Sequence, residues 1–141
     1  MTAMPDLHSL REGDELPVRE FRPDAVQLFL YNAALWNAHR IHFDHPYATG
    51  VEGYPELVVA GPLLGDWLTQ CAVDWLGESG RLVSFEYANR QLCYVGEILR
   101  SVGRVLSVDR EKSEAVLSLA ILNSAGEVTT PGTAVVRFAR A

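Results

Sequence analysis

One stretch of this chain is too apolar to lie anywhere but in an interior. Leu63, Leu64, Trp67, Leu68, Cys71, Ala72, Trp75 and Leu76 recur on a single helical stripe, with Asp66, Thr69, Gln70 and Asp74 mostly opposite. Pro62 suits a first helical turn and Gly77 a residue just past the last one. The spacing predicts a helix of about fifteen residues, roughly 22 Å long, which another layer of structure must enclose.

The chain that follows changes period from helical to alternating. Val83, Phe85 and Tyr87 alternate with Ser84, Glu86 and Ala88. Val102, Arg104, Leu106 and Val108 form a second strand pattern, Leu117, Leu119 and Ile121 a third, and Ala134, Val136 and Phe138 a fourth. Asp109–Lys112 and Asn123–Gly126 stand where hairpin turns belong, and Gly96 and Gly103 suggest a bend or bulge in the second strand. Ahead of the long helix, Leu16–Phe21 reads as an edge strand, because Pro17 cannot donate to a ladder. Pro23 and Asp24 introduce a shorter helix over Ala25–Leu35, with Val26, Phe29, Leu30 and Ala33 at helical spacing. His45-Pro46 and Gly50–Pro55 read as loop.

This order predicts an α+β fold in which a curved antiparallel sheet wraps around one long helix. A single sheet layer leaves an edge and a face to cover, so the expected molecule dimerises. Its 141 residues fit one domain, with residues 1–15 as a flexible N-terminal arm and 16–141 as the folded unit. A net charge of −6 and the absence of any basic run argue against nucleic-acid or anionic-membrane partners. Arg81, Arg90, Arg100 and Arg104 remain candidates for a local phosphate-binding patch or, more simply, for solvated strand edges. Cys71 and Cys93 both sit in apolar patterns and read as small buried hydrophobes, which suits a reducing cytoplasm. No apolar run has the length of a membrane span, and the first fifteen residues hold no apolar core of a secretion signal.

The chemistry concentrates in Asn37-Ala38-His39-Arg40-Ile41-His42-Phe43-Asp44. Three of the four histidines, His39, His42 and His45, fall within seven positions. Imidazole titrates near neutral pH, so His42 is the natural acid–base group. His39 suits either a share in that chemistry or an inward structural hydrogen bond. His45, before Pro46, reads as a turn residue, and Arg40 and Asp44 as a local ion pair. His-x-x-His-x-x-His is not a common metal pattern, and no metal or dissociable cofactor is expected. Trp36, Trp67 and Trp75 are candidates for core or pocket wall.

At this point the chain resembles the MaoC-like (R)-specific enoyl-thioester hydratases and dehydratases, which have the hot-dog fold. Their usual active-site pattern is Asp-x-Asn-Pro-x-His-x-Asp/Glu; here Asn37 stands at the first Asp, His39 at Asn, Arg40 at Pro, and His42 and Asp44 at the last two. The variant, together with Glu52-Gly-Tyr-Pro-Glu-Leu-Val-Val-Ala-Gly-Pro62, is similar to the branch of type 2 hydroxyacyl-thioester dehydratases and mesaconyl-CoA-type hydratases. The resemblance extends from about Phe21 to Phe138. It implies reversible hydration of a 2-enoyl thioester on CoA or an acyl-carrier protein. It further implies catalytic roles for His42, Asn37 and His39, with Asn37 orienting water and leaving proton transfer to the imidazoles. Gly61 matches the position whose N–H binds the thioester carbonyl, and Ala60 replaces a His common in that branch. Tyr54 and Trp67, with Tyr31 and Leu63, are the expected pocket-shaping residues. The working unit is expected to be a homodimer, or a heterodimer with a second hot-dog chain. A hot-dog thioesterase is the alternative activity, and it would lean on Asp66.

Overall fold

The computed structural model describes residues 3–139. Five antiparallel strands, β1 (Arg19–Phe21), β2 (Gly80–Tyr87), β3 (Leu99–Asp109), β4 (Glu114–Leu122) and β5 (Val128–Phe138), form one sheet in the order β1-β3-β4-β5-β2. Three helices accompany it, α1 (Ala25–Ala34), α2 (His45–Gly50) and α3 (Gly61–Leu76). The sheet curls around α3, which lies against β2, β3, β4 and β5. β4 shows why: along Glu114–Leu122 burial alternates strictly, with Ala115, Leu117, Leu119 and Ile121 turned toward the helix.

Helix α3 contains the apolar stripe read from the sequence and extends one residue further at its head, starting at Gly61. Leu64, Leu68 and Leu76 are fully buried, each contributing roughly 1.5–3 kcal/mol relative to an exposed position. Trp67 stacks on Phe21 with ring centroids 4.3 Å apart, and Trp75 meets Phe138 edge-on at 6.4 Å. Gly77 stops the helix at φ 54°, a conformation that costs glycine little. The bulge expected near Gly103 lies at Val105/Ser107 in the β3–β4 pairing.

Three elements differ from the expectation. The N-terminal arm, read as flexible, is docked along the free edge of β3. Gly13 N–H donates to Val105 O (2.8 Å), Leu16 N–H to Gly103 O (2.9 Å), and the Arg110 guanidinium to Leu10 O (2.9 Å). Leu10 and Leu16 are buried, and these two anchors in a polar segment, together with the unpaired amides of an edge strand, hold it there. His45-Pro46 and Gly50, read as loop signals, are the two ends of α2. Asp44 caps that helix by accepting from Tyr47 N–H (3.2 Å), and Pro46 occupies its first turn, where a missing N–H is harmless.

The third difference is the orientation of α1. Its predicted apolar stripe faces outward: Val26, Phe29 and Leu30 are each more than half exposed, whereas Leu28 and Asn32 face the interior. Asp24 caps the start by accepting from Gln27 N–H (2.8 Å). At the other end Trp36 N–H donates to Ala33 O and Asn37 N–H to Asn32 O, the paired bonds of a Schellman cap. The left-handed residue in that cap is normally glycine; here it is Trp36, at φ 55° and 94% exposed. An L side chain in this conformation costs about 1 kcal/mol, and the indole recovers little through burial. Trp36→Gly therefore raises the stability of the isolated chain by about 1 kcal/mol, or the melting temperature by roughly 3 °C. Thermal unfolding followed by circular dichroism checks this, and an unchanged or lowered midpoint would show that the indole packs against the chain.

Candidate active site

The site is assembled on the segment just before α3. Leu57–Ala60 is buried throughout and extended, and Val58 bridges Tyr94. Val58 N–H donates to Ile41 O (3.0 Å), and Val58 O accepts from the His42 ring at Nδ1 (2.7 Å). A 3₁₀ turn, Arg40–His42, thus grips one residue from two sides, three positions ahead of Gly61. Two further bonds fix the turn. Asn37 Oδ1 accepts from His39 N–H (3.1 Å), and Arg40 donates through Nε and Nη2 to Asp44 Oδ2 (2.9 and 2.7 Å). The same guanidinium lies 4.1 Å from the centroid of the Tyr47 ring. Arg40 holds the Asp44 carboxyl below its usual range, with the Tyr47 amide assisting. Asp44 therefore stabilises the segment as the ion-pair partner that the sequence suggested and, beyond that expectation, as the cap of α2.

The bond to Val58 O decides the chemistry of His42. A carbonyl only accepts, so Nδ1 carries the proton and Nε2 presents a lone pair. Nε2 has no hydrogen-bond partner among the described residues, and it is not sealed from solvent. The residue is 7% exposed, and burial, opposed by the Val58 bond and reinforced by nearby His39, pushes its pKa below the ordinary 6.5. The His39 ring is exposed and stands edge-on to His42, with centroids 5.6 Å apart.

Gly61 opens α3. Its N–H donates to no acceptor among the described residues, and Pro62 contributes none, so the head of the helix offers a free donor with a favourable dipole. Ala60 is fully buried as the N-cap residue and makes no side-chain cap bond. Beside the histidine segment an open cleft of about 330 Å³ is walled by Phe29, Ala33, Trp36 and Phe43, with Asn37 on its rim. Trp36 is thus a wall residue, whereas Trp67, an expected pocket residue, lies in the core against Phe21 and is only 4% exposed. Tyr54 is half-buried beside Tyr94, their rings tilted at 6.3 Å. Tyr31 O–H donates to Asp66 Oδ2 (2.6 Å), and burial with this carboxylate drives the phenol pKa upward. His45 Nε2 lies 3.1 Å from Glu56 Oε1, away from the other two rings' pairing. Among the described residues no three His, Cys, Asp or Glu side chains are grouped to hold a metal. Of the four arginines considered for a phosphate patch, Arg100 pairs with Glu20 (3.5 Å).

Sequence reasoning missed two groups. The Val58 carbonyl carries no side-chain signal, since a backbone acceptor looks alike at every position. Asn89, just past β2, packs its amide against Gly61, a contact that only the curl of the sheet creates.

A curled antiparallel sheet wrapped on a buried helix defines a hot-dog protein, and here a histidine is tied to the helix's leading segment. The solved structure of the (R)-hydratase from A. caviae involved in PHA biosynthesis shares this fold. Its TM-score is 0.83 at 20% identity, covering 93% of this chain and 98% of that one. The family model described as hydroxyacyl-thioester dehydratase type 2 matches residues 4–95, and the chain belongs to that family. It is 54% identical over 50 residues to a mesaconyl-C(4)-CoA hydratase of Chloroflexus aurantiacus, covering 36% of this chain and 18% of that protein. It is 50% identical over 44 residues to a mitochondrial hydroxyacyl-thioester dehydratase type 2 of Schizosaccharomyces pombe, covering 31% and 15%. The matches thus span less than a fifth of the length of these two curated relatives. No helix among the described residues is long and apolar enough to cross a membrane.

The lowered His42 pKa has a sign that can be checked. The unfolded chain binds this proton more readily than the folded one. The stability linked to His42 is therefore intact above pH 6.5 and is lost as pH falls through the folded value. An NMR titration should find the His42 ring titrating below 6.5, and His42→Gln should flatten the acid side of the stability curve. A ring titrating above 6.5 would contradict the burial argument.

Proposed function

We propose that this chain catalyses the reversible hydration of a 2-enoyl thioester, acting as a hydro-lyase on CoA or acyl-carrier-protein substrates. The observation that carries this reading is the 2.7 Å bond from His42 Nδ1 to Val58 O, which leaves Nε2 unprotonated on a ring tied three residues ahead of the free N–H that opens α3. In the hydration direction, water held by the Asn37 amide adds its oxygen to the β-carbon and passes a proton to His42 Nε2. The double-bond electrons shift toward the thioester, whose oxygen takes up enolate charge and is met by Gly61 N–H. The proton on Nε2 then goes to the α-carbon, and the imidazole returns to its starting tautomer. Asn37 can orient water but cannot accept a proton, so both transfers fall to one ring. His39, edge-on to that ring, favours its neutral form and so keeps it ready as a base.

The working unit is a dimer, formed with a second copy or with another hot-dog chain. The outward stripe of α1 and the unpaired edge of β2, where Val83 and Tyr87 are exposed, offer apolar surface to such a partner. A reducing compartment such as the cytoplasm suits two free, buried cysteines. The thioesterase alternative is less favoured, because the Asp66 carboxylate it requires is engaged by the Tyr31 phenol.

Purified protein mixed with 2-enoyl-CoAs of graded chain length should bleach the enoyl absorbance and yield 3-hydroxyacyl-CoA. His42→Ala should lower kcat about 10³-fold with an unchanged circular dichroism spectrum. Release of free CoA in place of hydration, or full turnover by the alanine variant, would refute the assignment. For the wild type, kcat/KM for hydration should fall on the acid side with an apparent pKa below 6.5, because the neutral ring is the active form.

A further inference from the structure

The strand after α3 brings to Gly61 a side chain that belongs to neither sequence motif. Asn89 follows the end of β2 by two residues, and its Nδ2 occupies the place that a Cβ on Gly61 would take, with its Cγ 3.1 Å from that point. A side chain at position 61 would displace this amide, so the glycine is needed for the close approach. Thr130 Oγ1, from a fully buried residue, lies 3.5 Å from Asn89 Oδ1, on the side of the amide away from the head of α3. Asn89 is an exposed residue, and Nδ2 has no hydrogen-bond acceptor among the described residues.

The geometry allows two donors to act on one atom. Nδ2 lies well under 3.0 Å from the Cβ position of Gly61, so it is within about 5 Å of the Gly61 nitrogen by standard bond lengths. Two N–H groups that each approach a common oxygen at about 2.9 Å can be separated by up to about 6 Å. One oxygen can therefore accept from both.

We propose that Asn89 is a catalytic residue whose Nδ2 joins the Gly61 N–H in binding the thioester carbonyl oxygen. The assignment rests on the hydratase reading above and extends it to a two-donor oxyanion site. As water adds to the β-carbon, the electron pair of the double bond moves into the bond between the α-carbon and the carbonyl carbon, and negative charge collects on the oxygen. Both donors strengthen their bonds to it at that stage, and the charge is discharged when His42 returns the proton to the α-carbon. A donor that acts mainly on the developing charge raises kcat more than it lowers KM.

Asn89→Asp keeps the size and shape of the side chain and an oxygen for Thr130 to donate to, but removes the N–H donors. Asn89→Ala removes the side chain. Both variants should lower kcat by about 10²-fold or more, with KM changed less than threefold. A second readout does not require turnover. Isotope-edited infrared spectra of carbonyl-labelled crotonyl-CoA bound to the His42→Ala protein should show the thioester stretch shifted down. Adding Asn89→Asp should return it part of the way toward its value in water. If wild-type protein hydrates enoyl-CoAs and both Asn89 variants keep kcat within threefold, the Asn89 assignment is overturned while the hydratase reading stands. An unchanged carbonyl stretch in the double variant overturns it equally. If the wild type hydrates no 2-enoyl thioester, on CoA or on an acyl-carrier protein, the reading itself fails and Asn89 loses its role with it.

Discussion

The site depends on the two-sided hold on Val58. Ile41 takes its N–H and the His42 ring takes its carbonyl, so one residue joins the histidine turn to the segment leading into α3. Breaking the carbonyl bond would release the ring, free its tautomer and leave a buried acceptor without a partner, at a cost of about 1–3 kcal/mol. The same bond orients the His42 ring and stabilises the fold. The supporting bonds act on this turn from outside, through Asn37 to His39 N–H and Arg40 to Asp44. Their partners are solvent-accessible and each contributes less, but together they restrict where the turn can sit.

The second constraint is close packing at the head of α3. Gly61 admits the amide of Asn89, and Gly65, one turn later, admits the ring of Tyr87. Both contacts come from the end of β2, so the sheet can approach the helix here only because two glycines leave the space. Leu64, between the two glycines, and Leu68 and Leu76 further along anchor the helix in the concave face of the sheet. The leucines supply stability, and the head of the helix leaves the Gly61 N–H free among the described residues.

A third feature runs against ordinary economy of folding. Helix α1 turns Val26, Phe29 and Leu30 to solvent and buries Asn32, whose Oδ1 has no partner among the described residues. It ends on an exposed tryptophan in a conformation suited to glycine. Periodicity reports that a helix has an apolar face, but not which neighbour that face meets. The interior position beneath α1 is filled by Leu28 alone among its aliphatic residues, so the stripe that the spacing defined lies on the outer side of the helix.

Much of the architecture was legible beforehand, because long-range burial leaves local traces. The stripe of α3, the alternation in β4 and β5 and the turn residues between strands followed from spacing alone, since a helix or strand with one buried face must repeat its apolar residues at its own period. In β3 the buried residues are Leu99, Ser101 and Val105 instead of the predicted Val102–Val108 series, and in β2 Val83 and Tyr87 are exposed, because bulges at Val105/Ser107 and Leu82/Ser84 shift the register. The motifs singled out His42 and Gly61 as candidates, and Asp44 was legible as a local ion-pair partner of Arg40. What only the tertiary structure decided were relations between distant segments. These are the Val58 carbonyl that sets the His42 tautomer, the docking of the N-terminal arm on β3, the placing of Trp67 beneath Phe21, and the approach of Asn89 to Gly61. Each depends on a backbone group or a side chain that is unremarkable in its own neighbourhood. Such groups gain a role only when curling of the sheet brings them against a partner far away in the chain.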